Sequence, residues 1–311
     1  MTDRAPTHPE PVDPARIAAA ARLPTRIAFL GFGLIAGSIA AALRETGSTP
    51  TLIAWTPDGR GPAEGLRRGL IATSARSLDE AIDGAELVIL AGPPLAIAGA
   101  LADGAGAVRA RLAGEATVTD VASTKGRILE LAEATELHFV GGHPMAGREV
   151  SGVEGASATL FVDRPWVLVP ARAAREIDVD RVATLAAAVG ARPIRMTAAE
   201  HDAAVAAISH LPLVAAAALV EAIALSDGGA EDWPPARALA ATGWSDMTRL
   251  ARGDPEMGAG ILETNRAAVA ARLRAYRDAI DAWLQALEGT DADAAALRAR
   301  LEAARDALGP R

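Results

Sequence analysis

Ile27-Ala28-Phe29-Leu30 runs directly into Gly31-Phe32-Gly33-Leu34-Ile35-Ala36-Gly37-Ser38 and then into the apolar stretch Ile39 to Leu43. A short apolar run, a glycine-rich turn and an apolar helical pattern in that order describe one unit: a buried strand, a tight turn and a helix. The spacing Gly31-x-Gly33-x-x-Ala36 gives each position a task. Gly31 permits the turn, Gly33 lets the backbone approach a pyrophosphate, and small Ala36 lets helix and strand pack closely while the helix N-terminus faces the phosphates. Gly31, Gly33, Leu34, Ile35 and Ala36 therefore form a candidate dinucleotide-binding loop, with a ligand-free glycine turn as the plainer alternative.

Further strand-like runs follow at Thr51 to Trp55, Glu86 to Leu90, Ala116 to Thr119, Leu137 to Val140, Trp166 to Val169 and Pro193 to Met196, with helical patterns in most of the gaps. Strands alternating with helices predict an α/β fold: a Rossmann-type doubly wound, mainly parallel sheet over residues 25–196. Beyond it, Thr197 to Leu225, Ala236 to Leu250, Gly258 to Leu287 and Asp291 to Leu308 are Ala/Leu-rich with helical periodicity. Residues 197–311 are expected to form an all-helical substrate and dimerisation domain, with a homodimer as the assembly. Residues 1–24 read as a flexible tail.

Composition narrows the function. With 311 residues, half of them apolar, the chain can bury a large core without staples. It has no cysteine, which removes disulfides, thiolate nucleophiles and Cys-bearing zinc sites. Neither a run of membrane-spanning length nor a signal peptide is evident, so a soluble cytoplasmic protein without a membrane partner is expected. The net charge of −8 comes without a basic cluster or stacking aromatics, which argues against nucleic acid; a small anion held by one buried Arg stays compatible. Thirty arginines stand against one lysine, Lys125, and Asn265 is the sole asparagine.

At the end of the second strand an NAD enzyme normally carries an acid for the ribose hydroxyls. Here the chain reads Ala54-Trp55-Thr56-Pro57, with Asp58 and Arg60 just beyond. A missing acid beside Thr56 and a guanidinium favours NADP over NAD, although Asp58 could reach the ribose after the Pro57 bend. Ala91-Gly92-Pro93-Pro94 follows another strand end, and Pro93 is a second candidate cofactor contact.

Two further motifs carry chemistry-bearing residues: Asp120-Val121-Ala122-Ser123-Thr124-Lys125-Gly126, and Gly141-Gly142-His143-Pro144-Met145-Ala146-Gly147-Arg148-Glu149. Later come His201-Asp202, Ser209-His210-Leu211-Pro212 and Gly243-Trp244-Ser245-Asp246-Met247-Thr248-Arg249. In these ordered motifs the chain, from about Arg26 to Leu287, resembles the prephenate/arogenate dehydrogenase family. The resemblance implies transfer of hydride from a cyclohexadienyl ring to NAD(P) with loss of carbon dioxide, on the route to tyrosine, without a metal.

The same resemblance assigns roles. His143 matches the family's catalytic histidine, drawing off the ring hydroxyl proton as hydride departs. Ser123 matches the serine that contacts that hydroxyl and orients the imidazole; a helix cap is its plainer reading. Arg249 matches the arginine gripping a carboxylate of a small dicarboxylate substrate. Ser209, His210 and Arg148 are further candidate substrate contacts, although a buried His bonded to backbone is an equal alternative for His210. Asp246 and Glu149 read as supporting carboxylates, one of them pairing with Lys125.

Three positions depart from the family pattern: Leu213 where many relatives have histidine, Arg148 where they have a small hydroxyl residue, and Gly258 where many have tryptophan. They leave the preference between prephenate and arogenate open. Two rivals are a β-hydroxyacid-type dehydrogenase, which uses a lysine from its helical domain, and a nicotinamide-sensing module without chemistry. No lysine follows Lys125, which counts against the first.

Overall fold

The computed structural model describes residues 13–48, 50–103, 116–148, 150–225, 229–288 and 294–309. The first two thirds of the chain form one eight-stranded sheet with strand order β3-β2-β1-β4-β5-β6-β7-β8. Its strands are β1 (Arg26–Leu30), β2 (Thr51–Trp55), β3 (Thr73–Ser74), β4 (Leu87–Leu90), β5 (Thr117–Asp120), β6 (Phe139–Pro144), β7 (Pro165–Pro170) and β8 (Arg192–Arg195). All neighbours are parallel except β6 and β7, which run antiparallel with His143 opposite Val167. The order 3-2-1-4-5-6 is that of the doubly wound dinucleotide-binding fold.

Side-chain alternation explains why both faces are covered. Ile27 and Phe29 of β1 and Leu87 and Ile89 of β4 enter one buried cluster. Ala28, Val88 and Leu90 enter the other. Successive residues of a strand point to opposite faces, so a continuous apolar run can only belong to a strand buried on both. Helices α2 (Leu34–Glu45) and α7 (Glu176–Ala188) cover the first face; α5 (Pro94–Asp103) and α6 (Gly126–Glu133) cover the second.

Part of the expected tail is structured. Residues Pro14–Ala20 form α1, started by the Asp13 carboxylate accepting from the Ala15 N–H, with proline in the first turn. Buried Arg16 donates to the carbonyls of Ala188 and Ala42, anchoring this helix. Residues 1–12 lie outside the described ones.

The helical part begins with α8, a continuous rod over Ala198–Leu225 that contains π-helical turns at Ala206–His210 and Glu221–Leu225. A capping box starts it, Thr197 and Glu200 each accepting from the other's backbone N–H. This rod is long and apolar enough to cross a membrane, so the expectation that no run reaches that length is corrected. The apolar stretch nevertheless carries His201, Asp202 and His210, all buried.

The expected helix from Ala236 to Leu250 is divided. It becomes α9 (Gly229–Ala238), α10 (Thr242–Thr248) and a 3-10 turn at Arg249–Arg252. The expected helix from Gly258 to Leu287 breaks at Asn265 into α11 (Pro255–Thr264) and α12 (Arg266–Glu288). The last helix, α13, spans Ala294–Ala307; the first residues of its expected range, 291–293, lie outside the described ones.

Candidate active site

Every loop singled out in the sequence leaves the carboxyl end of a parallel strand. Gly31 to Gly33 follow β1, Thr56 to Arg60 follow β2, Ala91 to Pro93 follow β4, Val121 to Lys125 follow β5, and His143 is the penultimate residue of β6. In open α/β sheets ligands bind outside these ends, at the point where strand order reverses, which here lies between β1 and β4. A cavity of about 410 Å³ lined by Arg22, Thr25, Glu86 and Arg181 sits at the opposite, amino-terminal end.

The glycine turn fits a dinucleotide. Gly31 has φ +100°, and a Cβ there would stand 2.6 Å from the Ala91 carbonyl, so only glycine closes this turn against β4. Gly33 caps α2 with no side-chain hydrogen bond, and a Cβ built on it would meet nothing within 4 Å. No side chain caps the first-turn N–H groups, and the open space beside Gly33 suits a phosphate. Ala36 is fully buried, allowing close packing, while Leu34 and Ile35 are half-buried. Pro93 precedes α5 and accepts from the Ile97 N–H.

Thr56, Asp58 and Arg60 form one knot. Asp58 accepts from Thr56 Oγ1 at 3.0 Å, from Arg60 Nε at 2.7 Å and from the Arg60 N–H at 3.2 Å. The Arg60 side-chain hydrogen bond leads in holding the Asp58 carboxyl below its ordinary range. The Arg60 side chain remains 87% exposed.

At the carboxyl ends of β5 and β6 lies a largely buried polar network that joins sheet and helices. His143 Nδ1 is 2.8 Å from His201 Nε2, and His201 Nδ1 is 2.8 Å from Asp202 Oδ1. The Asp202 carboxylate also accepts the backbone N–H groups of Lys125 and Gly126, both at 2.8 Å. Asn265 Nδ2 donates to the Asp202 carbonyl at 2.9 Å and lies 3.2 Å from His210 Nδ1. Thr124 and Thr264 share a further hydrogen bond across the same joint.

Burial sets the protonation states. His143 is held well below the ordinary imidazole value, by desolvation first and then by His201, Lys125 and His210. His210 is lowered to about 4, again chiefly by desolvation, against the opposing pull of Asp202. Burial pushes Asp202 upward, but hydrogen bonds from His201 and the two backbone N–H groups prevail and lower it. Both histidines are thus neutral near pH 7.

Lys125 does not pair with Asp246. Its ammonium lies against Asp120, with both side chains buried, and Asp120 also accepts from the N–H groups of Ala122 and Gly142. Asp246 is exposed and Glu149 lies outside the described residues. Desolvation lowers the Lys125 ammonium, opposed by Asp120. Strand β6 needs glycine where it passes this pair at 142: a Cβ on Gly142 would stand 2.4 Å from the Asp120 carbonyl oxygen.

The other candidates sit around this network. Ser123 is half-buried in the β5–α6 loop; the cap of α6 is Lys125, so the helix-cap reading of Ser123 does not hold. Ser209 is exposed beside buried His210. Arg249 opens the 3-10 turn that packs on the Leu211–Val220 stretch of α8, and it is exposed, as is Arg148 in the loop after β6. Leu213 and Gly258, two of the three departures from the family pattern, are neighbours: a Cβ on Gly258 would meet Leu213 Cδ2 at 3.7 Å. His201, Asp202 and Asn265 had no assigned role from sequence, although the first two stood in a quoted motif and the third is unique in the chain.

Fold and site together define a nicotinamide-dependent oxidoreductase with a neutral imidazole at the carboxyl end of its sheet. Residues 39–195 match the prephenate dehydrogenase nucleotide-binding domain and residues 197–302 match the prephenate dehydrogenase dimerization domain. The prephenate dehydrogenase of Bacillus subtilis is 31% identical over 270 residues, covering 86% of this chain and 71% of that protein. The crystal structure of Synechocystis arogenate dehydrogenase superimposes with a TM-score of 0.74 at 31% identity, covering 91% of this chain and 99% of that one. That of prephenate dehydrogenase from A. aeolicus, in complex with hydroxyphenyl propionate and NAD+, shares the fold, with a TM-score of 0.81 at 23% identity and coverage of 92% and 98%. The chain belongs to the prephenate dehydrogenase family.

Proposed function

We propose that the chain oxidises and decarboxylates prephenate or arogenate, giving 4-hydroxyphenylpyruvate or tyrosine, with His143 as the base. The observation that carries this reading is the neutral His143 imidazole at the carboxyl end of β6, backed through Nδ1 by His201 so that Nε2 is the nitrogen left for a substrate. When bound, the nicotinamide supplies the acceptor for the hydride on the ring carbon that bears the hydroxyl. His143 takes the hydroxyl proton as the C=O forms. The ring–carboxylate bond then breaks, carbon dioxide leaves, and its electron pair aromatises the ring while the oxygen recovers its proton.

Ser123 helps orient the hydroxyl from the β5–α6 loop. Arg249 holds a carboxylate of this small dicarboxylate substrate, with Arg148 and Ser209 at the rim. His210 contributes a donor: if Asn265 Nδ2 donates to its Nδ1, the neutral ring carries its proton on Nε2, a buried nitrogen with no partner among the described residues. A substrate oxygen would satisfy it.

For the cofactor we infer NADP over NAD. Asp58 is turned to Thr56 and Arg60 rather than to a ribose, and Arg60, bonded to it through Nε but with its side chain 87% exposed, offers its outer N–H groups to a 2′-phosphate. We divide the chain into a dinucleotide-binding domain at 25–196 and a helical substrate and dimerisation domain at 197–311. We place the chain in the cytoplasm as a homodimer; the exposed apolar residues of the helical half, including Ile208, Leu225, Leu239 and Leu287, support the dimer, since a twin would cover them.

The deciding experiment follows reduced-cofactor absorbance with prephenate or arogenate, each with NAD and with NADP. Turnover identifies substrate and cofactor together. Silence in all four mixtures, with cofactor still bound, would favour a nicotinamide-sensing module.

A further inference from the structure

We infer that His201 and Asp202 form a positioning relay behind His143, which keeps the proton of neutral His143 on Nδ1 and leaves Nε2 bare to act as the base. The inference rests on the proposed reading of His143 as that base.

The argument runs along the hydrogen bonds. A carboxylate only accepts, so His201 Nδ1, 2.8 Å from Asp202 Oδ1, must be the protonated nitrogen of that ring. In the relay His201 Nε2 accepts, and the partner 2.8 Å away, His143 Nδ1, donates. Only one tautomer of His143 satisfies this chain, and it is the one a base requires, because the bond made by one ring nitrogen decides the state of the other.

The relay is also rigid. His201 is 1% exposed, and its ring meets that of His143 edge-to-face with centroids 5.1 Å apart. Asp202 is fixed from three sides by the backbone N–H groups of Lys125 and Gly126 and by Asn265 on its carbonyl. Two of those groups sit on the loop that carries Ser123, so the joint that sets the tautomer also seats the sheet domain against α8.

When His143 gains its proton, the Asp202 charge, reached through the neutral hydrogen-bonded link of His201, stabilises the imidazolium without a proton having to travel along the chain. That stabilisation opposes the desolvation, the Lys125 ammonium, and the His201 and His210 rings that face His143 from α6's cap and from α8. A lone buried imidazole with those neighbours would be a poor proton acceptor. The Asp202 charge at the far end of the relay is what keeps it useful.

Two variants separate positioning from mere packing. Leucine at 201 abolishes both bonds, whereas glutamine can accept from His143 through its oxygen and donate to Asp202 through its amide. H201L is expected to lower kcat by about 100-fold or more, in the range of a lost or mis-set base, while cofactor affinity stays unchanged. H201Q should recover most of that loss. Independently of turnover, 15N NMR of the imidazoles in the full-length wild-type chain should show His143 protonated at Nδ1 and bare at Nε2 near pH 7, and H201Q should preserve that pattern.

H201L turning over within about threefold of wild type, H201Q no better than H201L, or the reverse His143 tautomer in the wild type would each overturn the relay. If the wild type turned over neither cyclohexadienyl substrate, the functional reading would fail, and the NMR would still judge the relay on its own.

Discussion

Lys125 and Asp120 form an ion pair whose side chains are 1% and 0% exposed, directly beneath the strand that carries His143. Asp120 is further held by the N–H groups of Ala122 and Gly142, which shape the loop after β5 and the approach of β6. Glycine lets β6 pass close to the pair: a Cβ on Gly141 would sit 3.1 Å from the Lys125 stem. The one lysine of a chain with thirty arginines thus stands in a buried ion pair.

Removing the ammonium alone should therefore be severe. Lys125→Met leaves a buried carboxylate with two backbone donors and no counter-charge, and breaking such a pair costs about 3 kcal/mol or more. Urea unfolding of K125M, followed by tryptophan fluorescence, should show that loss, and the double variant K125M/D120N should regain part of it. A loss below about 1 kcal/mol would mean that the pair is not coupled as the geometry implies.

The two glycines of the cofactor turn should fail in different ways. Gly31→Ala forces a Cβ to 2.6 Å from the Ala91 carbonyl at a φ of +100°, so it should lower the melting temperature and the yield of folded protein. Gly33→Ala adds its methyl into open space, so the fold should be untouched while cofactor affinity falls at least about tenfold from the clash with the pyrophosphate. Calorimetry and cofactor titration on the same samples distinguish the two. Unchanged affinity in G33A would remove the turn from the binding site.

The knot at the end of β2 yields a selectivity prediction. Arg60→Ala should raise the KM for NADP by about five- to tenfold and leave that for NAD within about twofold, since an exposed guanidinium contributes modestly and only to the 2′-phosphate. Initial rates with each cofactor at saturating substrate test it. Equal changes for both cofactors would place Arg60 outside the discrimination.

Periodicity made most of the sheet legible. β2 lies where its apolar run predicted, and the other long strands fall within a few residues of expectation, because buried parallel strands are continuous apolar runs. The two-residue strand β3 is too short to carry a pattern. Helix α1 escaped notice although Asp13-Pro14 is a start signal, because charges and prolines nearby suggested a tail. The helical half was read as unbroken rods, since alanine-rich sequence carries helical propensity straight across a break. Asn265 ends α11 and turns its amide to Asp202 and His210, and nothing in the local pattern announces a bond between residues 63 apart. The site divides likewise. His143 and the glycine turn stand in local motifs, whereas the His201–Asp202 support exists only after α8 has docked on the β5–α6 loop.

Stability should depend on acid through the buried imidazoles, and the sign follows from the direction of their shifts. His210, 1% exposed, is lowered from 6.5 to about 4 in the folded chain, so in this window the unfolded chain binds more protons than the folded one. Its neutral form is accommodated at no titration cost above pH 6.5, and stability is lost as pH falls from there towards 4, by roughly 3 kcal/mol for a shift of this size. His143 is lowered in the same direction and adds to the loss. Asp202, also lowered, holds its contribution until pH falls below the ordinary carboxylate range, so it does not obscure this window. Urea midpoints between pH 7.5 and 4.5 should therefore fall with acid, and His210→Gln should flatten the slope by about one proton. The acid limb of kcat/KM, which reports the free enzyme's base, should lie below pH 6.5 because His143 stays neutral there. A stability profile flat across this window would mean that His210 is hydrated or paired in solution, and its assignment as a buried neutral donor would fall with it.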